Sequence, residues 1–169
     1  MMAADAGAAV LETNNDGPKI PDKKKTKFDV IIIGAGPSGY TAGIYCSRAG
    51  YDTLILSGIL PGGQLVNTTE VENYPGFENG IMGPDLMIDM RKQSQRMGTT
   101  IIDDVAVDVD FRRAPYKVLT GSEEYERRAV IIATGANPRK MGITGEEEFS
   151  GKGVSYCATC DGPFFRNLE

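Results

Sequence analysis

Histidine is absent from this 169-residue chain, and cysteine is scarce, at three residues. A four-ligand zinc site has little to draw on, since Cys46 is the single cysteine outside the pair Cys157 and Cys160. So few thiols also argue against a disulfide scaffold and for a reducing compartment. The start of the chain has no apolar core of a secretory signal, and a cytoplasmic protein is the expectation. Long apolar runs are missing too. The longest, around Val30-Ile31-Ile32-Ile33, has the length of a strand and not of a membrane span. A net charge of −5 gives no footing for nucleic acid. What remains is a globular composition, 41% hydrophobic and 24% charged, with enough chain for one good core or one domain plus part of a second.

Residues 1–26 mix Ala, Gly, Asn, Asp, Pro and Lys without periodicity and are expected to form a flexible tail. Lys23-Lys24-Lys25 at its end is read as a solvated leader. From Phe28 the pattern changes. Phe28 to Ile33 is a continuous run suited to a strand buried on both faces of a parallel sheet. A glycine-rich turn follows, then a helix to about Ala49 stopped by Gly50, then a strand from Asp52 to Ser57, which makes a βαβ unit. Cys46 falls inside that helix as a buried structural cysteine. Leu60 to Glu78 is too long for an ordinary connection and is expected to be a functional loop.

The next helix, about Pro84 to Met97, carries Leu86, Met87, Met90 and Met97 on one side, a core stripe. Val105, Val107, Val109 and Phe111 alternate with Ala106, Asp108 and Asp110, which predicts a half-buried strand. Tyr116 to Thr120 and Tyr125 to Arg128 are its antiparallel companions, turning near Gly121-Ser122. Ala129 to Ala133 returns to the buried parallel pattern. The sum is an α/β fold: a Rossmann-like, nucleotide-binding parallel sheet with an antiparallel β-meander.

Two motifs carry chemistry. Gly34-x-Gly36-x-x-Gly39 follows a strand and opens a helix. Gly34 permits the tight turn, Gly36 lets backbone approach a pyrophosphate, and Gly39 allows helix to pack on strand. This makes a dinucleotide site and leaves NAD and FAD both open. The acid that usually ends the second strand to hold a ribose is missing, because Leu56-Ser57-Gly58 stands there; either the Ser57 hydroxyl or the long loop takes over. Cys157-Ala158-Thr159-Cys160-Asp161 is the second motif. Its two sulfurs can meet across one turn, a helix start would favour a thiolate, and Asp161 can move a proton to or from a leaving sulfur. Half of a zinc site is the alternative, and the ligand count opposes it.

Taken in order, Gly34 to Gly39, Gly62-Gly63-Gln64-Leu65, Thr69 to Gly76, Ala133-Thr134-Gly135-Ala136 and Cys157 to Gly162 resemble the low-molecular-weight thioredoxin reductases. The resemblance runs from about Lys27 to the last residue. It implies FAD, with the pyrophosphate at Gly34, Gly36, Pro37, Ser38 and Gly39, and ribose and loop contacts from Ser57, Gly58, Gly62, Gly63 and Gln64. It further implies Asn73 near the flavin ring, the Val105 backbone near the adenine, and Thr134-Gly135 beside the cofactor. Electrons would pass from NADPH through FAD to the Cys157–Cys160 disulfide and on to thioredoxin or a glutaredoxin-like protein. Cys160 would face the flavin, Cys157 would attack the partner's disulfide, and Asp161 would be the acid/base. A homodimer is the family expectation.

The same resemblance divides the chain into a tail (1–26), an FAD-binding domain without its C-terminal return (27–136), and the start of an NADPH-type domain (137–169). The second glycine fingerprint, for NADPH, is not in the chain, so an N-terminal portion that does not turn over alone is expected. Two other readings compete: a non-catalytic flavin-binding fragment that needs a partner chain, and the flavoprotein subunit of an alkyl hydroperoxide reductase. Asp161-Gly162-Pro163 suits the latter, but residues 1–26 are too few for the thioredoxin-like domain that subunit carries.

Overall fold

A computed structural model describes residues 28–166. The expected tail, residues 1–26, lies outside the described residues. Strand β1 (Val30–Ile33) leads through a glycine turn into helix α1 (Pro37–Arg48) and on to β2 (Thr53–Leu56). After a 3-10 turn (Gly63–Asn67) come β3 (Glu70–Val71), β4 (Ile81–Met82), helix α2 (Gly83–Arg96) and β5 (Thr100–Ile102). The meander β6 (Ala106–Asp110), β7 (Tyr116–Thr120) and β8 (Glu124–Arg127) precedes β9 (Ala129–Ile132), and a last short helix α3 spans Ala158–Asp161. The main sheet has the order β5-β2-β1-β9 and is parallel throughout, as the βαβ reading predicts.

The apolar run of β1 is explained by burial on both sides. Val30 and Ile32 pack with Ile55 against Tyr40 of α1 and Leu86, Met87 and Met90 of α2. Ile31, with Leu54 and Leu56, packs the other way against Val118 and Tyr125 of the meander. Helices, parallel sheet and meander therefore form three layers, and alternate residues of one strand serve both interfaces. The two helices cross where α1 has Gly43: a Cβ there would stand 2.7 Å from Ser94 Oγ and 2.9 Å from Ile55 Cδ1.

Four expectations need correction. Val107 is 64% exposed, and Val109 and Phe111 are 40% and 38% exposed, although Val109 lies opposite the buried Val118. A register shift between Ala106 and Asp108 takes Val107 out of the pairing, so Ala106, opposite Thr120, holds the inward place on β6, and the central strand β7 supplies the fully buried Val118. β9 is parallel to β1, but it is the sheet edge, and Ile132 is 63% exposed. The stretch 60–78, expected as a functional loop, contains the 3-10 turn and β3, which pairs antiparallel with β4. Cys46 is half-buried rather than buried, leaning on the helix-side core, and Met97 caps α2 at its margin.

Among residues 137–162 no hydrophobic side chain is buried, and Glu146 is the one buried residue. Its carboxylate accepts from the Met141 and Gly142 amides at 2.8 and 2.6 Å and from the Tyr156 hydroxyl at 2.8 Å. A single carboxylate thus organises a segment that has no apolar core.

Leu54→Ala empties a fully buried position and is expected to cost about 2–5 kcal/mol in a urea titration. Val107→Thr, on the outward face, should stay within about 0.5 kcal/mol. Equal costs would contradict the register described for β6.

Candidate active site: a glycine-floored cleft and a separate dithiol

The parallel strands β1, β2 and β9 end beside the first turn of α1, and a cleft of about 450 Å³ opens there. Gly34 turns the chain at φ +108°, and a Cβ on it would meet the Ala133 carbonyl oxygen at 2.3 Å. Gly39 is tighter still, since its Cβ would lie 2.0 Å from the Gly34 oxygen. Both glycines are thus required by packing. Gly36 is different. Nothing stands within 4 Å of the place its Cβ would take, so the space over Gly36 is left open.

Gly36 is also the N-cap of α1; no side chain caps the helix and its first turn has no acid. Its first amides and the positive end of its dipole are left for an anion. From the other side Gly62 donates its amide to the Ala35 carbonyl at 2.9 Å, and Gly63 approaches Gly36. This explains the Gly62-Gly63 pair: the loop must lie against the glycine turn.

The cleft is lined by Gly34, Gly36, Pro37, Ser38, Ser57, Gly58, Gly63, Gln64, Val105, Thr134 and Gly135 among others. None of its lining residues is charged. Gly39 and Gly62 sit behind it as packing positions, and Asn73 lies apart, in a shallow hollow formed by residues 72–78. The Val105 amide already donates to Asp104 Oδ1 at 2.7 Å. An apolar groove of about 700 Å³ beside Phe28, Cys46 and Arg127 is larger, but it has no helix start and no glycine floor. The open space over Gly36, the uncapped helix and the uncharged lining fit the pyrophosphate of a dinucleotide.

Sequence reasoning missed what stands behind Ser57. The Ser57 hydroxyl donates to Asp103 Oδ1 at 2.8 Å, and Arg91 grips both Asp103 oxygens at 2.9 Å. Arg91 also lies against the buried Tyr40 hydroxyl. The guanidinium holds the Asp103 carboxyl below the usual aspartate range, with a smaller contribution from Ser57, and burial pushes the Tyr40 phenol up. The signal was available in Asp103, which directly follows the apolar end of β5 on the strand neighbouring β2. Asn137 was missed as well; it accepts from Gln64 Nε2 at 2.7 Å across the cleft mouth.

The dithiol is built separately. Cys157 and Cys160 form a disulfide with their Cα atoms 5.2 Å apart. Cys157 is the N-cap of α3, and its sulfur accepts from the Cys160 amide at 3.2 Å, the helix-start environment expected for a thiolate. Ser155, not anticipated from sequence, donates to Asp161 Oδ2 at 2.5 Å while accepting the Cys157 amide at 3.0 Å. Neither cysteine nor Asp161 lines the cleft. Among the described residues no group of three or more His, Cys, Asp and Glu side chains is placed to hold a metal ion. No helix among them is long and apolar enough to cross a membrane.

The sequence profile of the pyridine nucleotide-disulphide oxidoreductase family matches residues 28–169. A thioredoxin reductase from Rickettsia bellii is 53% identical over 146 residues, which are 86% of this chain and 47% of that protein. The crystal structure of a thioredoxin reductase from Streptococcus pyogenes superposes with a TM-score of 0.76 at 41% identity, over 83% of this chain and 46% of that one. A thioredoxin reductase from Giardia duodenalis gives 0.73 at 40% identity, over 80% and 44%. The chain spans less than half the length of these relatives.

Gly39→Ala is expected to destabilise by about 1–3 kcal/mol or more, and Gly36→Ala by less than about 0.5, in denaturant titrations. The reverse order would mean that the glycines have been assigned the wrong tasks. Glu146 is held below the ordinary glutamate range, chiefly by the Met141 amide. Its contribution is therefore present above that range and lost as pH falls through the lowered value. Hydrogen-exchange protection at the Met141 and Gly142 amides should fall on acidification, and Glu146→Gln should lack it already at neutral pH. Protection independent of pH would rule this out.

Proposed function

The chain belongs to the pyridine nucleotide-disulphide oxidoreductase family, and from that premise we propose that it is the N-terminal half of a flavin-dependent thioredoxin reductase. One pairing carries the reading: an uncharged cleft at a helix start, and a formed Cys157–Cys160 disulfide with Asp161 attached. The relatives named above, each a thioredoxin reductase, support it. FAD in the cleft supplies a two-electron carrier between NADPH and the disulfide. Gly34, Gly36, Pro37 and Ser38 would hold its pyrophosphate, with Gly39 keeping the helix start close to the strand behind them. Ser57, Gly58, Gly63 and Gln64 would bound its adenosine side with Val105, Gly62 would seat the loop from behind, and Thr134-Gly135 would close the opposite wall. Asn73 is assigned to the flavin ring. NADPH is assigned to the part of the relatives' length that this chain does not span.

The chain's own chemistry begins once the disulfide is reduced. The Cys157 thiolate attacks one sulfur of the disulfide in thioredoxin or a glutaredoxin-like protein, breaking that bond and forming a mixed disulfide. Asp161 gives its proton to the departing thiolate, with its carboxyl oriented by Ser155. The Cys160 thiolate then attacks Cys157, which closes the Cys157–Cys160 disulfide and frees the second thiol of the partner. The partner has gained two electrons from the dithiol and two protons: the Cys157 proton, carried over by Asp161, and the Cys160 proton, given to solvent on ionisation and taken up by the second departing thiolate. Cys160 is assigned to the flavin side, and the protein to the cytoplasm as a homodimer.

In the full-length protein, Cys157→Ser should abolish NADPH-driven reduction of thioredoxin while flavin absorbance is retained. Asp161→Asn should slow turnover by about 10²-fold. Undiminished turnover by Cys157→Ser would overturn the assignment.

A further inference from the structure

The missing ribose acid has a counterpart one strand further along. In this fold a carboxylate at the end of the second strand ordinarily accepts from a ribose hydroxyl. Here β2 ends in Ser57, which is buried and lines the cleft, and the carboxylate stands at the end of the neighbouring β5 as Asp103. Ser57 has one hydroxyl proton, and the nearer of its two acceptors is Asp103 Oδ1 at 2.8 Å, the Gly58 carbonyl lying at 3.4 Å. Toward the cleft, Ser57 Oγ is therefore left with lone pairs alone, which makes it an acceptor.

Asp103 is itself fixed. Both of its oxygens accept from Arg91 at 2.9 Å, in the two-point geometry that an arginine fork allows. Arg91 belongs to α2 and lies against Tyr40 of α1, so the brace spans both helices and both strand ends.

We infer that Asp103, locked by Arg91, is a positioning residue that makes Ser57 a dedicated acceptor for a hydroxyl of the adenosine ribose of a bound dinucleotide. The inference rests on the flavoprotein reading above. It differs from the usual arrangement in that the carboxylate does not touch the sugar; it decides which way the serine proton points.

Affinity of the apoprotein, prepared at full length, would be measured for FAD and for its 2′-deoxyadenosine and 3′-deoxyadenosine analogues. The unmutated protein would be compared with Asp103→Ala and Ser57→Ala. Asp103 is more than half exposed, so truncating it leaves no cavity. Both variants should bind FAD about three- to tenfold more weakly. One of the deoxy analogues should bind all three proteins alike, because the hydroxyl that Ser57 accepts is gone. Equal weakening of FAD and of both analogues would reduce the brace to a structural role and overturn the inference, as would FAD binding that neither variant changes. Should Asp103→Ala fail to fold, Ser57→Ala carries the same comparison. An unmutated protein that binds no FAD overturns the flavoprotein reading itself.

Discussion

One close approach organises everything else: the Gly34 carbonyl lies where a side chain of Gly39 would be, and the Ala133 carbonyl lies where a side chain of Gly34 would be. This locks the end of β1, the start of α1 and the end of β9 into one small volume. The helix start can point into the cleft only because it sits this low on the strand. Any methyl group at either position would lift α1 from the sheet and with it the amides that face the cleft. Gly36, which lies between them in the chain, is free of such pressure, since nothing stands within 4 Å of the place its Cβ would take.

The three layers follow from the same geometry. A sheet with helices on one face and a meander on the other needs strands that are apolar on both sides, and β1 and β2 meet that need. The meander is therefore not an ornament on the nucleotide site; its Val118 and Tyr125 cover the second face of the strands whose ends form the cleft. Residues 137–166 are built on another plan, around a hydrogen-bonded carboxylate. Apolar groups of that segment, such as Met141 and Phe149, are exposed.

Much of this was legible in the residues. The buried strand Val30 to Ile33, the close packing at Gly34 and Gly39 and the Leu86, Met87, Met90 stripe each have one dominant cause, burial or backbone approach, and each is as the residues predict. Errors arose where a second cause intervened. Val107 alternates as a member of a buried row should, but a bulge that leaves no mark in composition takes it out of the pairing and exposes it, while Val109 stays opposite the buried Val118. Ile132 has the residue type of a central strand, while its exposure depends on a neighbour beyond β9, which no local pattern records. The brace behind Ser57 joins residues 46 positions apart and could not be read from spacing. Conversely, the Cys157–Cys160 contact is local, and spacing sufficed.

The uncharged lining of the cleft has a kinetic side. A phosphate held by amides and a helix start, with no lysine or arginine, makes no ion pairs for electrolyte to screen. The chain as a whole carries a net charge of −5, so an anionic cofactor approaches against repulsion. Added salt weakens that long-range repulsion and leaves the short-range grip intact. Loading such a cleft is thus favoured by the ionic strengths that strip ligands from cation-lined phosphate sites.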